Sequence, residues 1–163
     1  MRVRLAEDAL ALNLFVASGV QFFVSTSYSK SFSLYGERVG ALSVVTASKD
    51  ESARVLSQIK RLIRSNYSNP PTHGGAVVAA VLASAELRRM WEAELVGMRE
   101  RIKTMRGSLV EKLKAKGVAQ DFSFVVQQRG MFSYTGLSAE QVARLQSEFG
   151  VYAVNTGRVC IAA

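Results

Sequence analysis

Cysteine is almost missing from this 163-residue chain: Cys160 stands alone, so no internal disulfide can form. That fits a reducing cytoplasm. His73 is likewise the single histidine, which leaves little for a conventional zinc site and leads us to expect no metal. Proline occurs only as the adjacent pair Pro70-Pro71. No apolar run approaches the roughly 20 residues needed to cross a bilayer as a helix, so no membrane partner is expected. The opening Met1-Arg2-Val3-Arg4-Leu5-Ala6-Glu7-Asp8 lacks the apolar centre and cleavage pattern of a signal peptide. What remains is 48% hydrophobic and 21% charged, the profile of a globular protein with one ordinary core.

Acidic residues are outnumbered, 13 against 21 basic, giving a net charge of +8. Such a surplus raises the question of nucleic-acid binding. The bases are dispersed, however, and alternate with acids in Arg88-Arg89-Met90-Trp91-Glu92-Ala93-Glu94 and Arg99-Glu100-Arg101, as on a solvated helix face. Neither zinc-finger spacing nor an RNA-recognition aromatic motif occurs, so no nucleic-acid partner is expected.

Periodicity predicts a short helix from Glu7 to Ala17, a buried strand from Val20 to Ser25 and another from Ala41 to Thr46. Val55, Leu56, Ile59, Leu62 and Ile63 recur at helical spacing within Ser52 to Ser65, and Asn69-Pro70-Pro71 stops that helix. Ala76 to Ala85 reads as a small, buried helix. From Ala85 to Lys116, apolar residues from Leu87 to Leu113 recur every three or four positions, predicting one long amphipathic helix that ends at Gly117. That stripe reads as core packing. Phe122 to Gln127, Met131 to Tyr134, Val151 to Val154 and Val159 to Ile161 read as strands. Ser138 with Gln141 forms a capping box for a short helix. The order is α/β, then a long helix, then a small α+β unit, with the boundary near Leu95 to Met105.

The chemically suggestive stretch runs from Ser25 to Gly40. An apolar strand ends in hydroxyl residues, presents Lys30, and is followed by Arg38. Lysine is the usual amine for carbonyl condensation, and an amine enclosed among neutral groups is easier to deprotonate. Hydroxyls and a guanidinium are natural ligands for a phosphate dianion. The pattern suits a Schiff base beside a bound phosphate. Local composition by itself favours the plainer alternative, a solvated lysine in a serine-rich turn.

The run Ser27-Tyr28-Ser29-Lys30-Ser31-Phe32-Ser33-Leu34-Tyr35-Gly36-Glu37-Arg38-Val39-Gly40 resembles the pyridoxal-phosphate lysine signature of class I aminotransferases, in the aspartate and aromatic-amino-acid branch. The likeness continues, in the family's order, through Arg64-Ser65-Asn66-Tyr67-Ser68-Asn69-Pro70-Pro71-Thr72-His73-Gly74, Arg129-Gly130-Met131-Phe132-Ser133 and Phe149-Gly150-Val151-Tyr152-Ala153-Val154-Asn155-Thr156-Gly157-Arg158-Val159. It implies an α/β fold: the C-terminal part of the large cofactor domain, with a mixed, mostly parallel sheet, in residues 1–97. The long connecting helix and part of a small α+β domain would occupy residues 98–163.

The resemblance further implies pyridoxal 5′-phosphate as cofactor, a homodimer in the cytoplasm, and amino acid and 2-oxo acid substrates such as aspartate and 2-oxoglutarate. Lys30 would carry the cofactor, and Ser27 and Arg38 would bind its phosphate. Arg158 would grip the substrate α-carboxylate and Phe132 would line the pocket. Arg64 would reach across the dimer interface to a distal carboxylate. Three of these residues have a structural alternative: Arg38 paired with Glu37, Arg64 as a helix-end cation, Phe132 as core. His73 reads as structural and Cys160 as a packing residue in an apolar strand.

Set against the family pattern, the chain is expected to be a C-terminal fragment. The aspartate facing the pyridine nitrogen, the tyrosine near the phenolic oxygen and the phosphate-binding glycine loop would all lie upstream of the residues present. The family's terminal small-domain helix would lie beyond Ala163. The isolated chain is then expected to be inactive. The alternative is a non-catalytic remnant that binds another polypeptide.

Overall fold

A computed structural model describes residues 7–162. The N-terminal segment read for a signal peptide lies largely outside the described residues, as does Ala163. The chain divides into two compact units, Met1–Arg88 and Arg89–Ala163. Among the described residues no helix is long and apolar enough to cross a membrane.

In the first unit, α1 (Leu10–Ala17) turns through Gly19, at φ +71°, into β1 (Phe22–Ser27). β1 pairs antiparallel with β2 (Gly40–Val45), from Phe22 opposite Val45 to Ser27 opposite Gly40. The strand runs two residues past its expected end because the backbone of Thr26 and Ser27 is paired with Ala41 and Gly40. Once the ladder satisfies their backbone groups, hydroxyl residues have no reason to break it. Glycine at position 40 is required for that closeness, since a Cβ there would stand 2.6 Å from the Thr26 carbonyl oxygen. Both sheets of the described chain are two-stranded and antiparallel. Phe23 and Leu42 on the first are 71% and 56% exposed, whereas Phe22 is half-buried with its ring 5.4 Å from that of Phe15.

α2 (Lys49–Asn66) starts before the expected Ser52 because Ser48 caps it: its hydroxyl accepts the Glu51 N–H at 3.1 Å. The Glu51 carboxylate reaches back to the Ala47 N–H at 2.9 Å. α3 (His73–Ala83) also begins earlier than read, with the exposed His73 at its first position. Gly74 lets its first turn lie against the end of the β1–β2 loop, for a Cβ there would meet Glu37 Cβ at 3.0 Å and Val39 Cβ at 3.2 Å.

α4 (Ala85–Ala115) is the expected long helix. It closes at Gly117, φ +73°, where the Val118 N–H reaches back to the Leu113 carbonyl at 3.2 Å. In the second unit, Phe122 to Gln127 is not a strand. Its core is a single helical turn, α5 (Phe124–Gln127). The Asp121 carboxylate accepts the Ser123 N–H and hydroxyl, each at 2.8 Å, and the Val125 N–H turns back to Phe122. These local bonds outweigh the strand preference of the two valines, a preference that depends on having a partner to pair with. Val125 is fully buried.

Of the remaining expected strands, only β3 (Ser133–Tyr134) and β4 (Arg158–Val159) form, paired antiparallel. Val151 to Val154 is not a strand, because its end groups serve other turns. The Val151 N–H closes α6 (Ala139–Phe149) on Leu145, and the Val154 carbonyl accepts the Gly157 N–H. Cys160 follows β4, half-buried, rather than sitting in a strand as expected. The Ser138–Gln141 capping box forms as read.

The Ser123 N–H, with its hydroxyl, holds the Asp121 carboxyl below its ordinary pKa. A depressed folded-state value means that this anchor helps the fold above the unfolded-state pKa and loses its effect as pH falls through the folded one. Followed by NMR, Asp121 is expected to titrate at higher pH in a Ser123→Ala variant. An unchanged midpoint would show that the hydroxyl contributes nothing.

Candidate active site

Ser27 ends β1 opposite Gly40, and the next step of the ladder is a Tyr28 N–H bond to the Val39 carbonyl at 3.2 Å. The loop that carries Lys30 is therefore tied at its neck, with Ser27 on one side and Arg38 on the other. Inside it the Phe32 N–H returns to Tyr28 at 3.1 Å, and the two rings meet edge to face at 5.4 Å. The Ser27 hydroxyl accepts the Ser29 N–H at 3.3 Å.

Lys30 is exposed, as the plainer reading of a lysine in a serine-rich turn has it, and is not enclosed among neutral groups. Its Nζ lies 4.1 Å from the centroid of the Tyr35 ring, within cation–π range. Arg38 donates to the Tyr35 carbonyl oxygen at 2.9 Å. Tyr35 thus touches both cations of the loop. Sequence reasoning passed over it, although its place between Lys30 and Arg38 in an intact motif was a usable signal.

Arg64, in the last turn of α2, is exposed and donates to the Ser68 hydroxyl. Among the described residues, the non-glycine positions at positive φ are Ser33, Arg38 and Ser68. Each costs roughly 1–2 kcal/mol relative to the right-handed basin. Two lie in the Lys30 loop and the third is Arg64's partner.

In the second unit, Arg158 pairs with Tyr134 across β3–β4. Its guanidinium stacks 4.6 Å from the Phe132 ring centroid. Phe132 is 41% exposed, so it is a platform and not core. The preceding Gly157, φ +74°, admits no side chain, since a Cβ would come 2.9 Å from the Leu137 carbonyl oxygen. The buried Thr135 grips the Gly157 carbonyl with its N–H at 3.0 Å and its hydroxyl at 2.8 Å.

Arg106 was missed. It is the α4 residue that is fully buried, at 3% exposure, where the sequence promised only apolar packing. It donates to the Ser133 hydroxyl (2.8 Å) and to the carbonyls of Gln128 (2.7 Å), Gly130 (2.9 Å) and Phe132 (2.8 Å). A signal was present: Arg106 falls one turn after Ile102 and one before Leu109, on the apolar stripe itself. Among the described residues, no cluster of His, Cys, Asp and Glu could hold a metal ion.

One unit thus presents an amine, hydroxyls and guanidinium groups, and the other a guanidinium on an aromatic platform. Together these are a carbonyl-reactive group and anion receptors. The chain is 68% identical over 157 residues to an aspartate aminotransferase of Pseudomonas aeruginosa, covering 96% of this chain and 39% of that protein. It is 51% identical over 156 residues to an aromatic-amino-acid aminotransferase of Escherichia coli, covering 96% and 39% respectively. Among solved structures it superimposes, with TM-score 0.93 and 67% identity, on an aromatic-amino-acid aminotransferase from Burkholderia pseudomallei covalently bound to pyridoxal phosphate. The superposition covers 96% of this chain and 39% of that one. A Psychrobacter aromatic amino acids aminotransferase cocrystallised with aspartic acid superimposes with TM-score 0.92 at 49% identity, with the same coverage of 96% and 39%. The expected α/β fold is therefore that of these enzymes, of whose length the chain spans about two-fifths. The model of aminotransferase class I and II matches residues 3–163, and the chain belongs to that family.

Proposed function

We propose that this chain carries the cofactor lysine and the substrate-carboxylate clamp of a pyridoxal-phosphate aminotransferase. The enzyme moves an amino group between aspartate or an aromatic amino acid and a 2-oxo acid such as 2-oxoglutarate. The observation that supports this best is the tied loop, which holds the Lys30 amine, the Ser27 hydroxyl and the Arg38 guanidinium on one short stretch of backbone. That donor set fits the cofactor: an amine for an aldehyde, a hydroxyl and a fork-shaped cation for a phosphate. When bound, pyridoxal phosphate supplies the aldehyde carbon and an electron-withdrawing ring that stabilises negative charge at the substrate Cα.

The chain's own residues do the rest. The Lys30 Nζ, 4.1 Å from the Tyr35 ring centroid, would hold the cofactor through its aldehyde and would serve as the base for the proton at the substrate Cα. Ser27 and Arg38 would hold the phosphate. Arg158 orients the α-carboxylate, and Phe132 supports that guanidinium from below. Arg64 meets the distal carboxylate of a dicarboxylic substrate in a partner subunit, which makes the enzyme a homodimer. Residues 1–97 belong to its large domain and 98–163 to the long helix and small domain, and it works in the cytoplasm.

The test protein is the 68%-identical relative carrying this chain in place of its own matching segment. After incubation with pyridoxal 5′-phosphate and reduction with borohydride, the label is expected on Lys30. A label mainly on Lys60 or Lys103 would remove the assignment.

A further inference from the structure

We propose that Arg106 is a positioning residue for substrate binding: its buried guanidinium sets the Phe132 ring and, through it, the Arg158 guanidinium that receives the substrate carboxylate. The inference rests on the reading of Arg158 as that clamp. An arginine at 3% exposure is costly unless its donors are satisfied. Here four of its five N–H donors are taken up by one short segment. The carbonyls of Gln128, Gly130 and Phe132, at alternate positions, converge on the fork, and the Ser133 hydroxyl accepts from Nε. The chain from Gln128 to Ser133 is thus wrapped around a planar template, a shape the ammonium of lysine cannot reproduce.

Two routes lead from that template to Arg158. In the first, Arg106 holds the Phe132 carbonyl, and the Phe132 ring lies 4.6 Å from the Arg158 guanidinium. In the second, Arg106 holds the Gln128 carbonyl while the Gln128 side chain brackets Tyr134, donating to its carbonyl at 2.9 Å and accepting its N–H at 2.8 Å. Tyr134 is the strand partner of Arg158. The acceptors named on Arg106 are neutral, so they satisfy its donors without cancelling its charge.

The test uses the segment-exchanged enzyme described above. Arg106→Lys is expected to raise KM for aspartate and phenylalanine alike by about tenfold, the size of one charge-assisted contact, with kcat changed much less. Borohydride fixation of pyridoxal phosphate on Lys30 should be unchanged, because the cofactor residues lie in the other unit. Combined with Phe132→Leu, the loss should fall short of the product of the single losses, since both substitutions act through one ring. Should Arg106→Lys not fold, Ser133→Ala, which removes only the Nε acceptor, should raise KM in the same direction by a smaller factor. An unchanged KM in a folded variant, or equal falls in kcat and Lys30 labelling, would overturn the proposal. Absence of Lys30 label in the unsubstituted enzyme, or an Arg158→Ala variant with normal KM, would instead overturn the reading on which it rests.

Discussion

Replacing Lys30 with alanine in the segment-exchanged enzyme is expected to lower turnover by at least about 10²–10⁴-fold, the range for loss of a positioned proton-transfer group. Lys30 has two proposed duties, and alanine removes both: attachment of the cofactor, and proton movement at the substrate Cα. Arginine is the informative second variant. It retains a cation that can sit over the Tyr35 ring, where the Lys30 Nζ lies at 4.1 Å. A guanidinium stays protonated and does not condense with an aldehyde under these conditions. Lys30→Arg should therefore be nearly as inactive as Lys30→Ala, although the loop stays tied between Tyr28 and Val39. Steady-state transfer from aspartate to 2-oxoglutarate measures the effect. If the arginine variant kept a tenth or more of the activity, Lys30 would be a structural cation and the chemistry would lie elsewhere.

Removing Arg158 should weaken every amino acid substrate, whereas removing Arg64 should discriminate among them. Both guanidinium groups have modest commitments within the chain: Arg158 rests on the Phe132 ring, and Arg64 donates to the Ser68 hydroxyl. Arg64 can exchange its bond for a carboxylate, and Arg158 can take one while still resting on the Phe132 ring. Loss of one charge-assisted pair costs about 1.5–3 kcal/mol, or roughly ten- to a hundredfold in kcat/KM. Arg158→Ala should impose that loss on aspartate and phenylalanine equally, since both have an α-carboxylate. Arg64→Ala should impose it on aspartate and largely spare phenylalanine, which has no second carboxylate. Equal losses for the two substrates in the Arg64 variant would show that it does not read the distal group.

Residue types at the site could be read along the chain; their neighbours could not. Lys30, Ser27 and Arg38 lie within one run, and the strands on either side of it could be read, but not that they pair antiparallel and tie the loop between them. The Ser138 cap, the length of α4 and its arrest at Gly117 were also legible, because capping, helical spacing and a left-handed glycine involve residues within a few positions of one another. The strands expected at Phe122 to Gln127 and Val151 to Val154 failed for the complementary reason. Valine favours a strand only when a partner strand is present, and here Asp121 and Leu145 capture the backbone first. The exposure of Lys30 was within reach of local composition, but its seat over Tyr35 depended on how a loop folds back on itself, which periodicity does not encode. Arg106 lay furthest from view. Its partners are 22 to 27 residues away along the chain. On a helical wheel it is a charge misplaced on an apolar stripe, and it becomes a template only where the packed chain brings three carbonyls and a hydroxyl around it, since a buried guanidinium is tolerable only when each of its nitrogens finds an acceptor.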